Sequence, residues 1–174
     1  MFFCTFTCHN WMHLFEQTNS YDIVYNWFHH LKKNKIEVIG YVIMPNHVHF
    51  ILYFSESGFK LNKIISNGKR FMAYEIINRL QKANDMLTLK VLRDAPTTRE
   101  RNKNQLHKVF KDSFDAKPIF SEKFLVQKLN YIHNNPISGK WKLAIDAVLY
   151  EHSSAAFYEY GTSRHFELKH FNDL

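Results

Sequence analysis

The chain is poor in the residues that staple or interrupt a fold: two cysteines, four prolines and five glycines among 174 residues. Cys4 and Cys8 lie in a segment of strand-like composition. On a strand they would stand roughly 13 Å apart, too far for a disulfide, and a reducing, cytoplasmic setting is expected. No apolar run is long enough for a membrane span; Val38 to Phe54 is broken by Pro45, Asn46 and two histidines. The start, Met1-Phe2-Phe3, carries no basic segment, so no secretory signal is expected. No glycine-rich phosphate loop occurs, which argues against ATP-driven chemistry.

The chain is instead rich in apolar and aromatic side chains, at 45% and 16% of residues, which excludes a disordered chain. The length suits one domain spanning 1–174 with a sizeable core. Net charge is +7 and the pI about 9.3. A basic, aromatic-rich surface suits a polyanion such as nucleic acid, although charge alone also fits a merely basic protein. Lys82 to Lys117 holds nine Lys/Arg against five Asp/Glu. Its weak periodicity reads as a mobile basic loop over 84–105. Residues 162–174 read as a tail.

Side-chain periodicity predicts strands over Phe2–Cys8, Ile36–Met44 and His47–Phe54, the last two forming a hairpin about Pro45-Asn46. A helix over Tyr21–Lys33, capped by Ser20, carries the stripe Ile23, Val24, Trp27, Phe28 and Leu31. A long helix over Leu61–Leu80 would turn Leu61, Ile64, Ile65, Phe71, Met72, Ile76 and Leu80 inward, with Gly68 marking a close approach. A further strand is expected within His107–Phe120. Ser121 can cap a helix over Glu122–Asn135, which Pro136 ends, and a short helix is expected near Ser153–Tyr158. The order βαββαβ predicts an α+β, ferredoxin-like (split βαβ) antiparallel sheet with helices on one face, plus the later tyrosine-bearing helix.

Chemistry concentrates at two places. Side chains two apart on a strand share a face, so His47 and His49 can aim two imidazoles at one point while Val48 enters the core. Two neutral imidazoles are half of a divalent-metal site. Tyr131 and Asn135, four apart on a helix, share a face and can offer a phenol nucleophile and an amide-oxygen ligand. His133 lies off that face. A closed zinc cage is a poor fit to two histidines and an asparagine without cysteine.

The run Tyr41-Val42-Ile43-Met44-Pro45-Asn46-His47-Val48-His49-Phe50-Ile51-Leu52 resembles the His-hydrophobic-His strand of single-tyrosine HUH transposases, and more closely that of the REP-associated tyrosine transposases. Tyr131-Ile132-His133-Asn134-Asn135-Pro136 is similar to their catalytic-tyrosine helix. Lys69 in Gly68-Lys69-Arg70-Phe71 falls where that family carries a helix lysine. His152-Ser153-Ser154-Ala155-Ala156-Phe157-Tyr158 resembles its C-terminal Ser-Ser segment. The likeness runs from Phe2 to about Gly161; the histidine strand and tyrosine helix together are its specific part.

The resemblance implies single-stranded DNA cleavage and strand transfer, at hairpin or repeat DNA, through a 5′-phosphotyrosyl intermediate on Tyr131. It also implies a Mg²⁺ or Mn²⁺ held by His47, His49 and Asn135, with Lys69, Arg70 and Asn46 as DNA contacts. Two other readings stand beside it: a non-catalytic DNA-hairpin binder, and a metal-dependent nuclease using water. Monomer and homodimer are both compatible with the sequence.

Overall fold

The computed structural model describes residues 1–174. Four strands form where β-branched and aromatic residues run together: β1 (Phe2–Thr7), β2 (Ile36–Met44), β3 (His47–Phe54) and β4 (Asp115–Pro118). Seven α-helices accompany them: α1 (Leu14–Gln17), α2 (Tyr21–Lys33), α3 (Leu61–Lys82), α4 (Met86–Asp94), α5 (Thr98–Arg101), α6 (Glu122–Asn134) and α7 (Ala155–Tyr160). The strand order is β2-β3-β1-β4, with every neighbouring pair antiparallel. This is the split βαβ arrangement expected from the element order. No helix is long and apolar enough to cross a membrane.

Strand alternation divides the interior in two. Cys4, Phe6, Val48, Phe50, Leu52, Tyr41 and Ile43 turn to one face, where Val24, Trp27, Phe28 and Leu31 of α2 and Ile65, Met72, Ile76 and Leu80 of α3 cover them. Phe3, Ile39, Val42, Met44 and Ile51 turn to the other, under Leu125, Leu129 and Ile132 of α6. The helix layer of α2 and α3 thus takes one face, and the tyrosine-bearing helix takes the opposite one. Each large apolar side chain so buried contributes about 1.5–3 kcal/mol.

Gly68 lies on the buried face of α3, and a Cβ there would stand 2.6 Å from Trp27 Cε2. Its absence lets the indole pack against the α3 backbone. Phe71 departs from expectation: it is 64% exposed. Met72, Ile76 and Leu80 follow one another at i+4 spacing, and Phe71 stands about 100° off that stripe. Ser20 precedes α2, but its hydroxyl accepts from Thr18 Oγ1 at 2.7 Å and makes no cap bond. Ser121 does cap α6, accepting from Phe124 N at 3.3 Å.

The basic segment 84–105 is not a loop. Asp85 caps α4 by accepting from Thr88 N at 3.0 Å, and Thr97 and Glu100 form a reciprocal capping box on α5. Leu89 and Leu92 anchor α4 in the main core. So few inward residues leave little periodicity to detect among the charges. The tail is anchored as well: Phe166 and Leu168 are buried in the main core, and Lys32 Nζ pairs with Glu167 at 2.8 Å. Cys4 and Cys8 are both buried free thiols, and burial pushes the Cys4 thiol up to about 12.

Candidate metal and nucleophile site

β3 is the centre of the site because it pairs on both sides. His49 stands opposite Thr5 of β1, and His47 opposite Thr7. The two-residue spacing carries both imidazoles to the α6 face while Val48 is fully buried on the other. Their ring centroids lie 4.6 Å apart, and both are nearly inaccessible, at 4% and 5%.

Each imidazole is held through Nδ1. His47 Nδ1 donates to Asn46 Oδ1 at 2.6 Å, and Asn46 Nδ2 in turn donates to the Trp11 carbonyl at 2.9 Å. That second bond orients the amide, so its oxygen faces the imidazole. His49 Nδ1 lies 2.6 Å from Thr5 Oγ1. Asn46 and Thr5 thus orient both rings through Nδ1, as outer partners orient histidine ligands. Burial lowers His47 to about 4, opposed by the nearby Asn135 amide, and burial likewise holds His49 well below the ordinary imidazole value. Both are neutral imidazoles at pH 7, the form a metal takes.

α6 supplies the rest. The helical backbone continues through Asn135 (φ −55°, ψ −44°), so Tyr131 and Asn135 keep one face. The Tyr131 ring lies 5.1 Å from the His49 ring and is 49% exposed. Asn135 Nδ2 lies 3.4 Å from His49 Nε2, while Asn135 Oδ1 is buried without a hydrogen-bond partner. An orphaned buried oxygen is costly. Beside two imidazole lone pairs it completes an N,N,O donor set that fits a divalent cation. No cluster of three or more His, Cys, Asp or Glu is present.

The other candidates are placed differently. Asn46 is buried and spent on positioning His47. Lys69 Nζ donates to the carbonyls of Lys111, Asp112 and Ser113, and burial lowers it to about 8. Arg70 is exposed, with its guanidinium 5.1 Å from the Phe71 ring centroid. His133 turns away from the site, its Nε2 lying 2.9 Å from Ser154 Oγ. Ser154 also accepts from Tyr41 N and donates to Tyr41 O, tying α6, β2 and the Ser-Ser segment together.

Sequence reasoning missed Lys128, whose Nζ lies 5.6 Å from the Tyr131 ring centroid and 4.8 Å from that of Phe3. Its i,i+3 spacing to Tyr131 was the available signal. Thr5 was missed because cross-strand register is not written in local spacing.

No protein-family model matches the chain, and no curated protein sequence matches it. Among solved structures, the chain is similar to a REP-associated tyrosine transposase bound to a REP hairpin, with a TM-score of 0.58 and 15% sequence identity, over 99% of this chain and 87% of that one. What the two share is the fold.

Proposed function

We propose that the chain cuts single-stranded DNA and transfers the cut strand, with Tyr131 as the nucleophile. The observation that carries this reading is the half-exposed phenol of Tyr131 beside two buried imidazoles and the orphaned Asn135 oxygen. The solved structure of similar fold, bound to a REP hairpin, supports DNA with a hairpin as the substrate.

In this reaction the Tyr131 oxygen attacks the scissile phosphorus. A phenol O–P bond forms, the P–O3′ bond breaks, the phenol proton is released and the departing 3′ oxygen gains one. The phosphotyrosyl ester keeps the phosphodiester as an ester, so a second 3′-hydroxyl can displace Tyr131 and reseal a strand. His47, His49 and Asn135 would hold Mg²⁺ or Mn²⁺, the mixed N,O donors suiting Mn²⁺ well. Bound there, the ion would supply Lewis-acid polarisation of the phosphate. The Lys128 ammonium beside the Tyr131 ring would attract the phosphate of the incoming strand. Arg70 offers a phosphate contact on α3, and Lys69 can offer one only by leaving its three carbonyls.

The test is a denaturing gel of protein mixed with labelled single-stranded hairpins and Mn²⁺ or Mg²⁺. A metal-dependent covalent band on the 5′ side of the break, absent in Tyr131→Phe and His47→Ala, is expected. Cleavage that survives Tyr131→Phe would instead indicate a hydrolytic nuclease, and binding without cleavage a non-catalytic hairpin binder.

A further inference from the structure

Two of the three tryptophans adjoin the histidine pair. The Trp11 ring lies 5.8 Å from that of His47, and the Trp141 ring 6.2 Å. They come from distant parts of the chain: Trp11 from the turn after β1, and Trp141 from the segment after α6. Trp11 is 51% exposed and Trp141 partly so. The third, Trp27, is buried beneath α3.

The backbone goes to some expense to present Trp11. Asn10 and Trp11 both adopt left-handed conformations, φ 48° and 58°. Asparagine tolerates that region, but a bulky aromatic residue rarely occupies it. The strained turn brings the Trp11 carbonyl to Asn46, the side chain that fixes His47, and leaves the indole at the rim. Strain of this kind persists where surrounding structure enforces it and gathers at ligand sites.

Each indole carries a cation. Lys111 Nζ lies 4.3 Å from the Trp11 ring centroid, and Lys140 Nζ 5.5 Å from that of Trp141. An exposed indole with an adjacent ammonium is the pairing that binds unpaired nucleic acid: the base stacks on the ring, and the neighbouring phosphate meets the charge. Bases in a duplex are stacked on each other and cannot occupy such a surface. The His13 ring, 5.4 Å from Trp141, extends the aromatic rim.

We infer that Trp11 and Trp141 form a stacking platform for unpaired bases next to the phosphodiester at the His47–His49 site, selecting single strands over duplex. This rests on the function proposed above, and the experiment separates the two.

Intrinsic tryptophan fluorescence is titrated with a DNA hairpin bearing a single-stranded flank, and with the same stem as a blunt, loop-free duplex. The flanked hairpin should quench the emission, and the blunt duplex should not. Trp11→Phe with Trp141→Phe leaves buried Trp27 as the only emitter, so quenching should disappear while binding is largely kept. Trp11→Ala and Trp141→Ala should each weaken binding of the flanked hairpin about tenfold, the scale of losing one stacked base. One abasic site placed in the flank should reproduce that loss. Quenching equal for the flanked hairpin and the duplex, or alanine variants that bind as tightly as wild type, would overturn the platform. Quenching without a Tyr131 adduct would retain the platform and remove the transferase; an adduct formed equally well by the alanine variants would do the reverse.

Discussion

Thr5 Oγ1 stands 2.6 Å from His49 Nδ1, across the β1–β3 pairing. The contact orients a buried imidazole from a neighbouring strand. Thr5→Val keeps the shape and removes the partner. Mn²⁺ affinity should fall roughly tenfold or more, the usual scale for losing a histidine's outer partner, with the fold intact. Calorimetric titration against wild type checks this; unchanged affinity would mean that His49 is not a ligand.

Asn135 should trade stability against metal binding. Its Oδ1 is buried without a partner, so Asn135→Leu removes an unsatisfied polar atom while keeping a similar volume. Without metal, the variant should melt at or above the wild-type temperature. With Mn²⁺ added, wild type should gain stability by mass action and the variant should not. Equal metal-dependent shifts would exclude Asn135 from the donor set.

Two glycines report on the two faces of the sheet. A Cβ on Gly68 would meet the rigid Trp27 indole at 2.6 Å, and one on Gly40 would meet Leu129 Cδ2 at 2.5 Å. Overpacking against the indole costs about 1–3 kcal/mol, against roughly 1 kcal/mol that alanine gains in a helix. Gly68→Ala should therefore lower the denaturant midpoint. The Leu129 methyl can rotate, so Gly40→Ala should cost less stability. It should instead unseat α6 and reduce Tyr131 adduct formation more than Gly68→Ala does. Adduct rates measured at matched folded fractions decide between them.

Acid should weaken the anchor of the C-terminal segment. The His152 ring stacks on Tyr21 at 3.8 Å, its Nδ1 lies 3.0 Å from Tyr25 Oη, and Tyr150, His165 and Glu151 adjoin it. Burial lowers this imidazole to about 4, with Glu151 opposing the shift. The unfolded chain takes up the proton near 6.5, so it binds more protons than the folded chain between those values. Stability should thus be full above pH 6.5 and fall as pH drops toward 4. His152→Gln should remove at most one proton from the slope, about 1.4 kcal/mol per pH unit. Urea midpoints from pH 4 to 7 test this, and an unchanged slope would refute it.

The hairpin and its histidines were legible because strand alternation and a Pro-Asn turn are local signals. The same holds for the shared face of Tyr131 and Asn135. What stayed hidden depends on register or on sparse burial. Thr5 reaches His49 only once β1 and β3 are aligned. Trp11 and Trp141 reach His47 from segments 130 positions apart in the sequence. α4 and α5 sit among charges with few inward residues, so their caps were the only clue. The apolar pattern of α3 counts Phe71 among its inward residues, whereas the i+4 stripe through Met72 turns it to solvent.

β2 is an outer strand of the sheet, and the segment after Glu151 lies along its free side. Ile43 N donates to the His152 carbonyl at 2.8 Å, and Ser154 N to the Tyr41 carbonyl at 2.9 Å. These two bonds occupy backbone groups that would otherwise template pairing with another chain. The Ser-Ser segment therefore acts as a guard against edge-to-edge aggregation. A chain shortened before His152 should form larger particles by light scattering, whatever becomes of its chemistry.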